Sequence, residues 1–114
     1  MRIPRDAAML RVYIDETAKH DGAPLFEAIV LAARANHLAG ATVLRSPMGF
    51  GHSSRLHTAK ILRLSEDLPM VIEIVDGIER IEAFLPVIDA MIGERGLVTL
   101  ERVQVLRYGP RQDS

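Results

Sequence analysis

Histidine, serine and arginine gather in one stretch, residues 40–58, GATVLRSPMGFGHSSRLHT. His52 and His57, with Glu66 or Asp67 as an oxygen ligand, could offer imidazole nitrogens to a metal ion. No cysteine or His-x-His pattern accompanies them, and a solvated loop histidine is the commoner case. Ser53 or Ser54 beside a histidine suggests a hydrolase, but neither sits in a Gly-x-Ser-x-Gly elbow. Glu79 is explained by helix capping, Glu82 by a solvent face and Glu66-Asp67 by a turn, which leaves no carboxylate pair for acid–base work. Charge is the more informative feature. Between Glu27 and Glu66 there is no acidic residue, whereas Arg34, Arg45, Arg55, Lys60 and Arg63 all fall there. An electropositive segment with glycine-exposed backbone N–H groups suits an anionic ligand, and the same cations would serve equally to solvate a loop. Gly49-Phe50-Gly51 lacks both the third glycine of a dinucleotide fingerprint and the Lys-Ser/Thr of a P-loop, so taken alone it reads as a bend.

The rest of the chain limits what this stretch can belong to. With 114 residues it forms a single domain, 1–114, with one hydrophobic core. Apolar residues make up 48% and charged residues 25%, and a net charge of −1 argues against a dedicated nucleic-acid binder. The absence of cysteine excludes disulfides and thiolate metal sites. No apolar run approaches the ~20 residues that span a bilayer and no apolar leader opens the chain, so a soluble, cytoplasmic protein without membrane insertion is expected.

Elements that would position the segment follow from periodicity. Residues 1–7 and 109–114 are expected to be mobile termini, with the first strand starting near Ala8, where Leu10, Val12 and Ile14 alternate with Arg11, Tyr13 and Asp15. A helix is predicted over 24–38, opened by Pro24 and stopped by Gly40. Strand two begins at Thr42 and leads into an extended loop over residues 49–60, with a short strand at Ile61 to Leu64. PMVIEIVD forms the next strand, apolar on both faces, so Val71 and Val75 need a cover from helices or another subunit. Asp76 and Glu79 resemble a capping box opening a second helix, with a kink expected at Pro86 and a stop at Gly93. In LVTLERVQVLRY the apolar alternation changes phase between Leu100 and Val103, which predicts a bulge or two shorter strands. The order is α+β, a ferredoxin-like βαββαβ sandwich with both helices on one sheet face.

HLAGATVLRSPMGFG, ILRLSEDLPMVIEIVD and GLVTLERVQV together resemble the domain-of-unknown-function 190 family, which is similar in turn to the PII signal-transduction proteins. The resemblance implies a PII-like homotrimer, non-enzymatic and regulatory, with an adenine nucleotide as effector in clefts between subunits. It places the site at Thr42, Gly49, Phe50, Gly51 and His52, at Gly93, Arg95 and Gly96, and at Arg107. Backbone N–H groups near Gly51 and Gly96 would hold phosphate, Arg95 or Arg107 would add charge, and Thr42 would contact the base. His52 and Ser53 stand where PII proteins carry Arg and Gln, and residues 48–64 contain no tyrosine for covalent modification. Some family members are encoded near fluoride-exporter genes, which implies a transporter or an enzyme as a partner met through residues 49–64. The alternatives are a metal-binding protein similar to CutA and a structural oligomer that docks a transporter.

Overall fold

The computed structural model describes residues 3–46, 48–49, 57–58 and 68–109. In order, these form β1 (Asp6–Asp15), β2 (Lys19–His20), β3 (Ala23–Pro24), α1 (Leu25–Ala35), β4 (Thr42–Arg45), β5 (Met48–Gly49), β6 (His57–Thr58), β7 (Pro69–Gly77), α2 (Ile78–Ile92) and β8 (Leu97–Gln104). The main sheet has the order β4-β7-β1-β8, antiparallel throughout, which is the ferredoxin-like arrangement. Period-two alternation sets its layers. Leu10, Val12 and Ile14 lie opposite Ile74, Ile72 and Met70 in the β1–β7 register, and all six are buried. Above them pack Leu25, Ile29 and Ala33 of α1 and Ile81, Phe84, Ile88, Met91 and Ile92 of α2, at the three- and four-residue spacings of a helical stripe. Burying side chains of this size stabilises by about 1.5–3 kcal/mol each, and this core holds the sheet flat against its helices.

Several boundaries differ from the expectation, each for a physical reason. β1 starts at Asp6, because Ala7 pairs with both Gly77 and Val103, and Ile3 before it is buried. α1 ends at Ala35: His37 adopts a φ of 59°, the left-handed conformation that closes many helices. Before α1, β2 and β3 form a small hairpin whose turn residues Asp21 and Gly22 both have positive φ, 50° and 83°, as a two-residue hairpin turn requires. α2 keeps Pro86 inside it, as expected, with Glu82 and Pro86 both on its exposed side. β8 is continuous and unbulged from Leu97↔Tyr13 to Gln104↔Asp6. Its change of phase arises because Val98 packs on the core while Val103, on the other face, lies half-buried in a groove. The short strand expected at Ile61 to Leu64 lies outside the described residues. After β4, Met48 and Gly49 pair with Thr58 and His57 in a separate two-stranded ladder.

Candidate functional site

A groove of about 610 Å³ opens where the segment before β4 meets the segment after β8. Residues 39–42 form one side and residues 103–108 the other, with Ile3, Glu73 and Val75 between them. Since β4 and β8 are opposite edges of the sheet, the chain leaving β8 crosses the end of the sheet to reach this place. Two hydrogen bonds hold it there: the Val105 N–H donates to the Arg5 carbonyl at 2.8 Å, and the Tyr108 hydroxyl donates to the Ala39 carbonyl at 2.6 Å.

The side formed by residues 39–42 is anchored from within. Leu38 is buried in the core, and the Ala39 N–H donates to Asp76 Oδ2 at 3.0 Å. Asp76 is wholly buried and also accepts from the Gly77 N–H at 2.7 Å and from Arg80 Nε at 3.1 Å, while Arg80 Nη2 donates to the His37 carbonyl. This corrects the capping-box expectation: the residue preceding α2 is Gly77, no side chain caps that helix, and the Asp76 carboxylate joins the end of β7 to the α1–β4 connection. A buried carboxylate survives only when paired and hydrogen-bonded, and Arg80 with the two N–H groups meets that requirement.

The charges around the groove are unequal in their commitments. Glu73 pairs with Thr42 across the ladder and accepts from Arg11 Nε at 3.0 Å; Arg11 Nη1 also reaches Glu101 Oε1 at 3.2 Å. The Glu73 hydrogen bond, helped by the nearby Glu73 and Glu101 charges, raises the Arg11 pKa above its ordinary value. Arg45, from the basic stretch, bonds Glu16 at 2.8 Å. Arg107 is exposed at the groove and makes no ion pair among the described residues.

The expected site residues therefore fall into separate groups. Thr42 and Arg107 line one groove. Gly93, Arg95 and Gly96 lie before β8, at the other end of the sheet and on the edge away from β4. Gly49 follows β4 at that same far end, so loop base and turn leave from edges roughly 14 Å apart, three strand spacings. Arg95 spends its guanidinium on carbonyls: Nε on Ile92 at 3.2 Å, Nη2 on Met91 at 2.9 Å and Nη1 on Lys19 at 2.8 Å, which ties the β2–β3 hairpin to the end of α2. Gly96, at φ 96°, lies so close to β1 that a Cβ would stand 2.4 Å from the Tyr13 carbonyl oxygen. Phe50, Gly51 and His52 lie outside the described residues. Asp76, Ala39 and Tyr108 were missed as site-forming residues. The one available signal was Tyr108, the single aromatic residue in the tail after β8. Among the described residues no cluster of His, Asp and Glu could hold a metal ion, and no helix is long and apolar enough to cross a membrane.

Comparison with known proteins gives these features a context. A UPF0166 protein of Aquifex aeolicus is 35% identical over 98 residues, 86% of this chain and 91% of that one. A UPF0166 protein of Methanocaldococcus jannaschii is 31% identical over 101 residues, 89% and 93% of the two chains. Among solved structures, CPII, a nitrogen regulatory PII-like protein from Thiomonas intermedia K12 bound to ADP, AMP and bicarbonate, superposes with a TM-score of 0.60 over 90% of each chain at 18% identity. The same protein bound to ADP, AMP and acetate gives 0.53 over 94% of each at 16% identity. The fold is thus that of the PII-like proteins. With residues 7–105 matching the family described as Uncharacterized ACR, this chain belongs to the DUF190 family.

Proposed function

We propose that this is a PII-like regulatory protein without catalytic activity, which binds a small anionic effector, an adenine nucleotide, at clefts between the subunits of a homotrimer and presents residues 49–64 to a partner. The observation that carries this reading is the groove shared by Thr42 and Arg107. Its volume is within the range of ~300–1,000 Å³ common to small-molecule sites, and its walls combine apolar Val75, Val103 and Val105 with a hydroxyl and a guanidinium that has no ion pair among the described residues. Such a surface suits a flat base at one end and a phosphate at the other. The CPII structures, bound to ADP and AMP, support an adenine nucleotide as the effector.

Self-association is supported by the sheet face that the helices leave open. Leu44, Val71, Tyr13 and Leu97 stand in register across all four strands on that face, and Leu44 and Leu97 are 48% and 57% exposed. An apolar row of this kind is a surface for another subunit.

Titration calorimetry with AMP, ADP and ATP, alongside light scattering for mass, tests the reading. The expected result is saturable heat from at least one nucleotide on a trimer, with slower amide exchange over residues 49–64 when it is bound. No heat from any of the three sinks the effector assignment. A partner captured equally with and without nucleotide would instead favour simple docking.

A further inference from the structure

Leu106 and Arg107 stand between two fixed points of the segment that walls the groove. Val105 is held by its N–H on Arg5, and Tyr108 by its hydroxyl on the Ala39 carbonyl. Leu106 between them is 82% exposed and Arg107 is exposed at the groove, so the packing of these two side chains does not hold the segment in place. We propose that Tyr108 is a positioning residue, a latch whose hydroxyl draws residues 105–108 across the groove and sets where the Arg107 guanidinium stands opposite Thr42. This inference rests on the effector reading above.

The latch has a firm strike. Ala39 offers its carbonyl to Tyr108 while its own N–H is held by Asp76, which is wholly buried and fixed by Arg80 and the Gly77 N–H. The acceptor therefore cannot follow the tyrosine if the segment moves, and the hydrogen bond resists the motion. Without the hydroxyl, the hydrogen bond at Val105 is the one that still ties this segment down among the described residues. Arg107 has a long flexible stem, and freedom of its backbone adds to the entropy lost when a ligand orders it. Tyr108 thus acts on a ligand through Arg107 and need not touch it.

Tyr108→Phe removes only the hydroxyl and keeps the ring. In the free protein, amide exchange at Val105, whose N–H is held by the Arg5 carbonyl at the root of the segment, should accelerate about tenfold while the core amides hold their rates. AMP and ADP affinity should fall about fivefold, the scale of one net hydrogen bond. In an Arg107→Ala background the same change should cost less than about twofold, because its effect passes through the arginine. Unaltered exchange at Val105 overturns the latch, and so does an equal loss of affinity in both backgrounds. If the unsubstituted protein binds none of AMP, ADP and ATP, the effector reading falls, and the exchange rates alone decide whether Tyr108 holds the segment.

Discussion

The groove at Thr42 and Arg107 and the turn at residues 93–96 differ in what folding leaves unspent. At the turn the cation is committed: Arg95 serves three carbonyls, and Gly96 leaves no room between its backbone and Tyr13. At the groove the backbone is committed, through Ala39 to Asp76 and Tyr108, while Thr42 and Arg107 keep their side chains at the surface. Glycine and arginine in the same neighbourhood are therefore poor evidence of a ligand site until their hydrogen bonds are traced. Changes at the turn should read out as stability, and changes at the groove as binding.

Four substitutions would sharpen or break this contrast. Gly96→Ala should be the most damaging, since a left-handed φ and a Cβ set against the Tyr13 carbonyl oxygen together cost about 3 kcal/mol or more; urea denaturation measures it, and a near-neutral result would mean that the turn adapts freely. Arg95→Ala should lose about 2 kcal/mol as three carbonyls lose a charged donor, seen as a melting temperature lowered by roughly 8–12 °C. Were Arg95→Ala to melt normally and bind nucleotide poorly, the turn would belong with the groove after all. Arg107→Ala should leave stability within about 0.5 kcal/mol and weaken AMP or ADP by about tenfold, a charge-assisted contact. The smallest effect is expected at Thr42→Val, which keeps the β-branched shape favoured in β4 and removes only a hydroxyl; calorimetry should find about a threefold weaker nucleotide and an unchanged melt.

Element order and the helix-covered face were legible because they depend on local repetition. Leu10, Val12 and Ile14 announce one buried strand face, and Ile81, Ile88 and Ile92 one buried helix face, whatever lies around them. Reading Asp76 as a cap failed for the opposite reason. An acidic residue ahead of a helix has the same sequence signature whether it caps that helix or reaches across to another segment, and only the approach of Ala39 and Arg80 distinguishes the two. Similarly, the phase change at Leu100 to Val103 looked like a bulge because alternation assumes one apolar face. β8 instead turns Val98 to the core and Val103 to the groove at its far end.

The basic, glycine-bearing stretch that first suggested an anion site keeps Thr42 at the groove and gives Arg45 to Glu16, while Phe50, Gly51 and His52 lie beyond the described residues. Among the described residues, the cation that lines the groove, Arg107, comes instead from the far end of the chain. From the sequence alone came the α+β order, the two helices on one face and the apolar pressure on the other, because burial has a period and periods are visible in one dimension. Which donors remain free, and which segments meet, was decided only in three dimensions. A hydrogen bond such as Tyr108 to Ala39 joins residues whose separation along the chain carries no signal, and it exists because the strand order brings β8's continuation across the sheet to the start of β4.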